Sequence, residues 1–131
     1  MYKDGEVPRA EYMPCAGEII TALEELDRQT EAALGGDRQA RSEGQSTVRR
    51  VIALMKAAGG LQLLERWHDR TLTHLNFDIH NAVTHYQAFY MVRILDDPHP
   101  FAEKSREAAR SEYVGANRRY KEARQLYYAL K

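Results

Sequence analysis

Residues 74–86 read HLNFDIHNAVTHY, and they hold His74, Asp78, His80 and His85, side chains able to bind a metal ion or to move a proton. Imidazole titrates nearest to neutrality of all side chains and is a frequent metal ligand. A carboxylate beside it can orient the ring or share an ion. On a helix, His74 and Asp78 stand one turn apart on one face and could share a metal. His85 lies eleven residues beyond His74. That is about 16 Å along a helix axis, whereas metal–nitrogen bonds are about 2 Å, so one ion cannot take both rings.

A complete metal site would therefore need ligands from other helices. Glu65-x-x-His68 has the spacing that di-iron bundles use. Those bundles need two such motifs and two further carboxylates, and this chain carries one motif. The favoured reading of the histidines is structural: they face water or hydrogen-bond to neighbouring helices. A metal-binding bundle built on His74 and Asp78 is the weaker alternative.

Other catalytic patterns are missing. The chain has no G-x-G-x-x-G, no phosphate-binding glycine-lysine loop and no G-x-S-x-G elbow. Cys15 is the single cysteine, which excludes an internal disulfide and a cysteine-rich zinc site. No histidine lies near it in sequence, so nothing supports a nucleophile there. A non-enzymatic protein without a cofactor is the expectation.

The histidine segment must sit on some element. As a strand it would place Leu75, Phe77 and Ile79 on one side. As a helix it forms a stripe of Leu72, Leu75, Ile79, Ala82, Tyr86 and Phe89, with His74, Asp78, Asn81 and His85 beside it. Local propensity opposes the helix: about ten poor formers at ~0.5 kcal/mol each amount to some 5 kcal/mol. Burying three or four large side chains, at roughly 1.5–3 kcal/mol each, offsets this. No second convincing strand exists to pair with, and a lone strand leaves its backbone unsatisfied. The segment is read as helix, with a possible break near Asn76.

The remaining elements follow from periodicity and breakers. Residues 1–15, with Gly5, Pro8 and Pro14, are expected to be an irregular arm. Ile19, Leu23, Leu26, Thr30 and Ala33 then define one helical face. Glu18, Glu24, Glu25 and Asp27 are placed early in that helix, where its dipole favours negative charge. Gly35-Gly36 stops it, and residues 35–46, GGDRQARSEGQS, read as a flexible loop. Ser46 or Thr47 would cap a second helix carrying Val48, Val51, Ile52 and Met55, ended by Gly59-Gly60. A third apolar segment spans Leu61 to Leu95, and Asp96-Asp97-Pro98-His99-Pro100 breaks it. The last helix runs from Pro100 or Phe101 almost to Lys131.

That last helix has the clearest register. Tyr113, Tyr120 and Tyr127 recur every seven residues, with Ala102, Ala109, Ala116, Ala123 and Leu130 at the alternate core positions. Large tyrosines alternating with small alanines let another helix approach closely. The seam could meet its own chain or a partner, and tyrosine is enriched at interfaces. Arg118, Arg119, Lys121 and Arg124 would orient an acidic partner or a neighbouring subunit.

Charge is zero overall but segregated: −5 over residues 1–46, +1 over 47–99 and +4 over 100–131. An acidic first helix lying on a basic last one is the simplest cause. A nucleic-acid partner is the other, served by the basic last helix or by a helix-turn-helix-like stretch at 48–70 with Arg49, Arg50, Gln62, Arg66 and Arg70. Against it, Leu61, Leu63, Leu64 and Trp67 make the would-be reading helix heavily apolar, and Glu112 and Glu122 flank the basic cluster.

The length, 131 residues, and an apolar fraction of 44% suit one soluble domain with one core. The first residues lack a signal-peptide core, and the longest aliphatic run, Val51 to Met55, is far too short to span a bilayer. The expectation is a cytoplasmic all-α bundle of four to five helices, one domain over 1–131, with a long C-terminal helix. Its expected role is interaction or assembly through the Tyr113, Ala116, Tyr120, Ala123, Tyr127 seam, by self-association or with a protein partner and without a membrane.

Overall fold

The computed structural model describes residues 9–58, 70–91 and 102–131, and these form four α-helices with no strand among them. They are α1 (Arg9–Leu34), α2 (Arg38–Ala57), α3 (Arg70–Met91) and α4 (Ala102–Leu130). The expected all-α class and the long last helix are both present.

Pairs of touching residues set the helix directions. Glu25 meets Arg50 across the short α1–α2 turn, so these two helices run antiparallel. Asp78 meets Arg119 and His85 meets Glu112, which makes α3 and α4 antiparallel. Gly17 touches Tyr127 and Asp27 touches Asn117, so α1 and α4 are antiparallel too. Tyr12 bonds Asn76, Asp27 bonds Tyr86 and Thr30 bonds Tyr90, which sets α1 parallel to α3. The result is an up-down-up-down bundle. The broadest contacts are α3 on α4 and α1 on α2, with α1 also against α4.

The core follows the sequence stripes. All five positions of the first-helix stripe are buried, and so are all six of the α3 stripe. Burying those six side chains, at roughly 1.5–3 kcal/mol for each large one, outweighs the poor helix propensity of the segment. The helix runs through Asn76 without a break. The reason is local: Asn76 is buried and its Oδ1 accepts the Tyr12 hydroxyl at 3.0 Å, so a residue expected to interrupt the helix serves its packing instead.

Two expected irregular segments are helical. Residues 9–15, assigned to an arm, open α1, with Pro14 inside the helix. Proline deprives the carbonyl four residues earlier of its donor. That carbonyl belongs to Ala10, an exposed residue which water can satisfy, while Tyr12 and Ala16 bury the turn around it. Because the helix starts this early, Glu18, Glu24, Glu25 and Asp27 lie mid-helix, beyond the reach of the N-terminal dipole that was expected to favour them.

The stretch 35–46 is a tight turn and then helix. Gly36 takes φ +103°, the left-handed geometry that glycine supplies at a helix end, and Asp37 N bonds Ala32 O. Asp37 then caps α2 by accepting from Ala40 N at 3.0 Å, in the place expected of Ser46 or Thr47. Ala40, Gly44 and Thr47 are buried along the polar stretch, which gives it a reason to be helix. The Gly59-Gly60 stop, the segment 61–69 and the Asp96–Pro100 break lie outside the described residues.

Candidate functional site

The α3 stripe points His74, Asp78 and His85 toward α4, and each finds a different fate there. Asp78 is 1% exposed, at the floor of a surface groove of about 610 Å³ whose walls include Arg70, Thr71, Glu122 and Gln125. His74 Nε2 stands 3.3 Å from its carboxylate and Arg119 3.5 Å away. Burial pushes the Asp78 carboxyl above the ordinary range, His74 opposes this, Glu122 adds to the rise and Arg119 opposes it. Both contacts are long, so they only partly replace the water the carboxylate has lost.

His85 lies two to three turns further along α3. Its Nδ1 is 2.8 Å from Glu112 Oε2, and its ring packs on α4 at Gly115, where an added Cβ would stand 3.2 Å away. The glycine is therefore what lets the imidazole lie against the α4 backbone. His80 takes a third course. It is half-buried, its Nε2 has no hydrogen-bond partner among the described residues, and burial lowers its pKa. His74, His80 and His85 are not gathered at one point. Among the described residues no three His, Cys, Asp or Glu side chains are arranged to hold a metal, so His74 and Asp78 remain a pair. Glu65 and His68 lie outside the described residues.

A polar node of three donors on one carboxylate escaped the sequence reading. Asp27 of α1 accepts from the Tyr86 hydroxyl at 2.7 Å, from Asn117 Nδ2 at 2.9 Å and from the Tyr113 hydroxyl at 3.4 Å. One carboxylate thus ties α1 to α3 and α4. Burial, with the bond to Asp27 behind it, pushes the Tyr86 hydroxyl well above its usual range; Tyr113 is raised by burial and then by the charge of Asp27. The only sequence signal was position: Asp27 is adjacent to the buried Leu26 on the core stripe.

The tyrosine–alanine seam packs inside its own bundle. Ala109, Ala116 and Ala123 are fully buried, Tyr120 is 3% exposed, and Tyr113 and Tyr127 are half-buried against the same core. Close approaches also occur at Gly17 and Gly44. Tyr127 Oη would stand 2.6 Å from a Cβ at Gly17, and the Tyr90 hydroxyl fills the space where Gly44 would carry one.

The basic cluster divides. Arg119 turns to Asp78 and Glu122, and Arg118 to Glu122. Arg124 lies over the Tyr120 ring and donates to its hydroxyl at 3.3 Å. Lys121 is exposed. The second half of the helix-turn-helix-like stretch, residues 59–69, lies outside the described residues.

Comparison with protein-family models, with curated proteins and with solved structures finds no match to this chain. Among the described residues no helix is long and apolar enough to cross a membrane.

Proposed function

We propose that this chain is a non-enzymatic helical interaction protein that self-associates through the outward surface of its last two helices. One observation carries the reading. The large apolar side chains left exposed among the described residues are Phe77, Met91, Val114 and Tyr128, and all four belong to α3 or α4. The exposed positions of α1 and α2 carry small or polar residues instead, among them Glu11, Glu18, Glu24 and Arg28 on one and Arg38, Glu43, Arg49 and Lys56 on the other. Scattered exposed apolar residues are ordinary, but their confinement to two of the four helices marks those helices as the ones that gain from being covered.

The His85–Glu112 and Arg119–Asp78 pairs serve this reading as fasteners of α3 to α4, the two helices that present the surface. Tyr120, the natural target from sequence, lies inside its own bundle, so truncating it tests folding. The surface variants Val114→Ser and Tyr128→Ser test association.

Sedimentation equilibrium over a wide concentration range is the experiment. The expected result is a species heavier than the 15.1 kDa chain that lightens toward it in Val114→Ser/Tyr128→Ser. A 15.1 kDa species at every concentration would sink the reading.

A further inference from the structure

Asp78 sits at the floor of the groove between α3 and α4 with acceptor capacity to spare. Its side chain is 2% exposed. An ionised carboxylate offers about four acceptor positions. Among the described residues this one receives a single hydrogen bond, from Arg119 at 3.5 Å, with His74 Nε2 3.3 Å from its other oxygen. Arg119 lies nearer to Glu122, at 3.3 Å, and Arg118 meets the other Glu122 oxygen at 3.4 Å. Glu122 thus has two guanidinium partners and Asp78 a share of one. Charged hydrogen bonds close to about 2.7–2.9 Å, so a donor on a ligand can serve Asp78 better than its own neighbours do. The far end of the groove carries the opposite charge. Arg70 is exposed on its wall, two turns before Asp78 on α3, and its side chain takes part in no ion pair or hydrogen bond among the described residues. Half-buried Leu126 and exposed Ala129 line the α4 wall, with the Gln125 amide beside them. At about 610 Å³ the groove has the size that takes a small organic ligand.

We infer that the α3–α4 groove binds a small zwitterion, an amino carboxylate whose ammonium meets Asp78, whose carboxylate meets Arg70 and whose aliphatic chain lies on Leu126 and Ala129. A simple amine leaves Arg70 unmet and adds a cation beside Arg70, Arg118 and Arg119. A simple carboxylate has to face Asp78 and Glu122. A ligand with both charges answers both ends and leaves the net charge of the groove unchanged. The site lies within one chain, so the inference goes beyond the self-association reading and does not depend on it.

The spacing of the two charges follows from α3. Asp78 stands eight residues beyond Arg70. At a rise of about 1.5 Å per residue that is about 12 Å along the axis. An extended chain covers about 3.5 Å in three bonds, so charges about six bonds apart span roughly 7 Å, and the long Arg70 stem covers the rest. An ε-amino carboxylate has that spacing, as do the side-chain ammonium and the carboxylate of free lysine. His74 stands between the two ends with its side chain 68% exposed, so its ring can swing aside without losing burial.

Titration of the isotope-labelled full chain with ε-aminocaproate, followed by amide NMR shifts, tests this. The expected result is saturable movement at residues 70–78 and 122–129, with one ligand per chain and half-saturation at about 1 mM or below. Hexylamine and hexanoate each lack one charge and are expected to bind about tenfold more weakly or worse. Asp78→Asn keeps the shape of the side chain and loses its charge, and Arg70→Gln alters an exposed side chain, so circular dichroism should show both variants folded. Each is expected to weaken ε-aminocaproate about tenfold. If Asp78→Asn does not fold, Arg70→Gln and the two half-ligands still decide. No saturable shift with ε-aminocaproate up to about 50 mM overturns the inference. So does binding that survives the substitutions. Hexylamine or hexanoate binding as tightly as the zwitterion overturns it too, and makes the groove a simple cation or anion site instead.

Discussion

The Tyr86 hydroxyl of α3 donates to Oδ1 of Asp27 on α1 at 2.7 Å, and Asn117 of α4 shares the same oxygen at 2.9 Å. One side chain thereby fixes the relative heights of three helices. Tyr86→Phe removes one charge-assisted bond and should cost about 1.5–3 kcal/mol, while Asp27→Ala strands the Tyr86, Asn117 and Tyr113 donors and should cost about 2–4 kcal/mol. In a double-mutant cycle by urea unfolding, the pair should couple by about 1 kcal/mol or more. Strictly additive losses would show that the bond contributes nothing.

Asp78 should make the fold less stable as it ionises. Its folded pKa is raised above the ordinary 3.8, chiefly by burial. The folded state therefore binds the proton more tightly, and the stability this confers at low pH is lost as pH rises through the raised value. Asp78→Asn cannot ionise. Its stability relative to the original chain should grow as pH climbs from about 3.5 toward neutrality, read by urea midpoints. A constant difference across that range would contradict the assignment.

His80 gives the opposite dependence. Burial lowers its pKa below the ordinary 6.5, so the folded state favours the neutral ring. The stability gained is present above the ordinary value and lost as pH falls through the lowered one. His80→Leu removes both the titration and the unpartnered Nε2. Thermal melts should show the variant gaining on the original chain between about pH 7 and about pH 5. Parallel melting curves would refute this.

Two glycines should answer alanine differently. A Cβ at Gly44 collides with the Tyr90 hydroxyl, which Thr30 holds at 2.9 Å. Gly44→Ala should lose about 1–2 kcal/mol, because overpacking exceeds the ~1 kcal/mol gained in helix propensity. At Gly35 the nearest atom is a carbonyl at 3.4 Å and the backbone is unstrained, so Gly35→Ala should stay within about 1 kcal/mol of the original. Equal effects at both positions, measured by chemical denaturation, would be evidence against the packing at Gly44.

Much of the fold was legible because burial repeats with the helical period. The stripes Ile19–Ala33 and Leu72–Phe89 are in the core, and Ala109, Ala116 and Ala123 of the last helix are buried on one face. The stretches 9–15 and 38–46 were misread for one reason. Their polar and breaker residues were weighed as local signals, whereas Tyr12, Ala40 and Gly44 each have a partner surface far away in sequence. Propensity is a weak local term that tertiary burial overrides. The Asp27 node was invisible for a related reason: its donors lie 59, 86 and 90 residues away, and no spacing rule reaches that far.

By itself the sequence determined the class of the chain, the faces its helices bury and the seven-residue tyrosine repeat, since all three follow from the order of apolar side chains on a rotating backbone. Only the tertiary structure decided which charges are spent inside. It gave Glu112 to His85, Arg119 to Asp78 and Asp27 to Tyr86, and left Glu24, Glu31, Arg110 and Lys121 facing out. A charge on a helix takes its meaning from the neighbour it meets, and the heights at which helices meet are set by packing across the whole bundle.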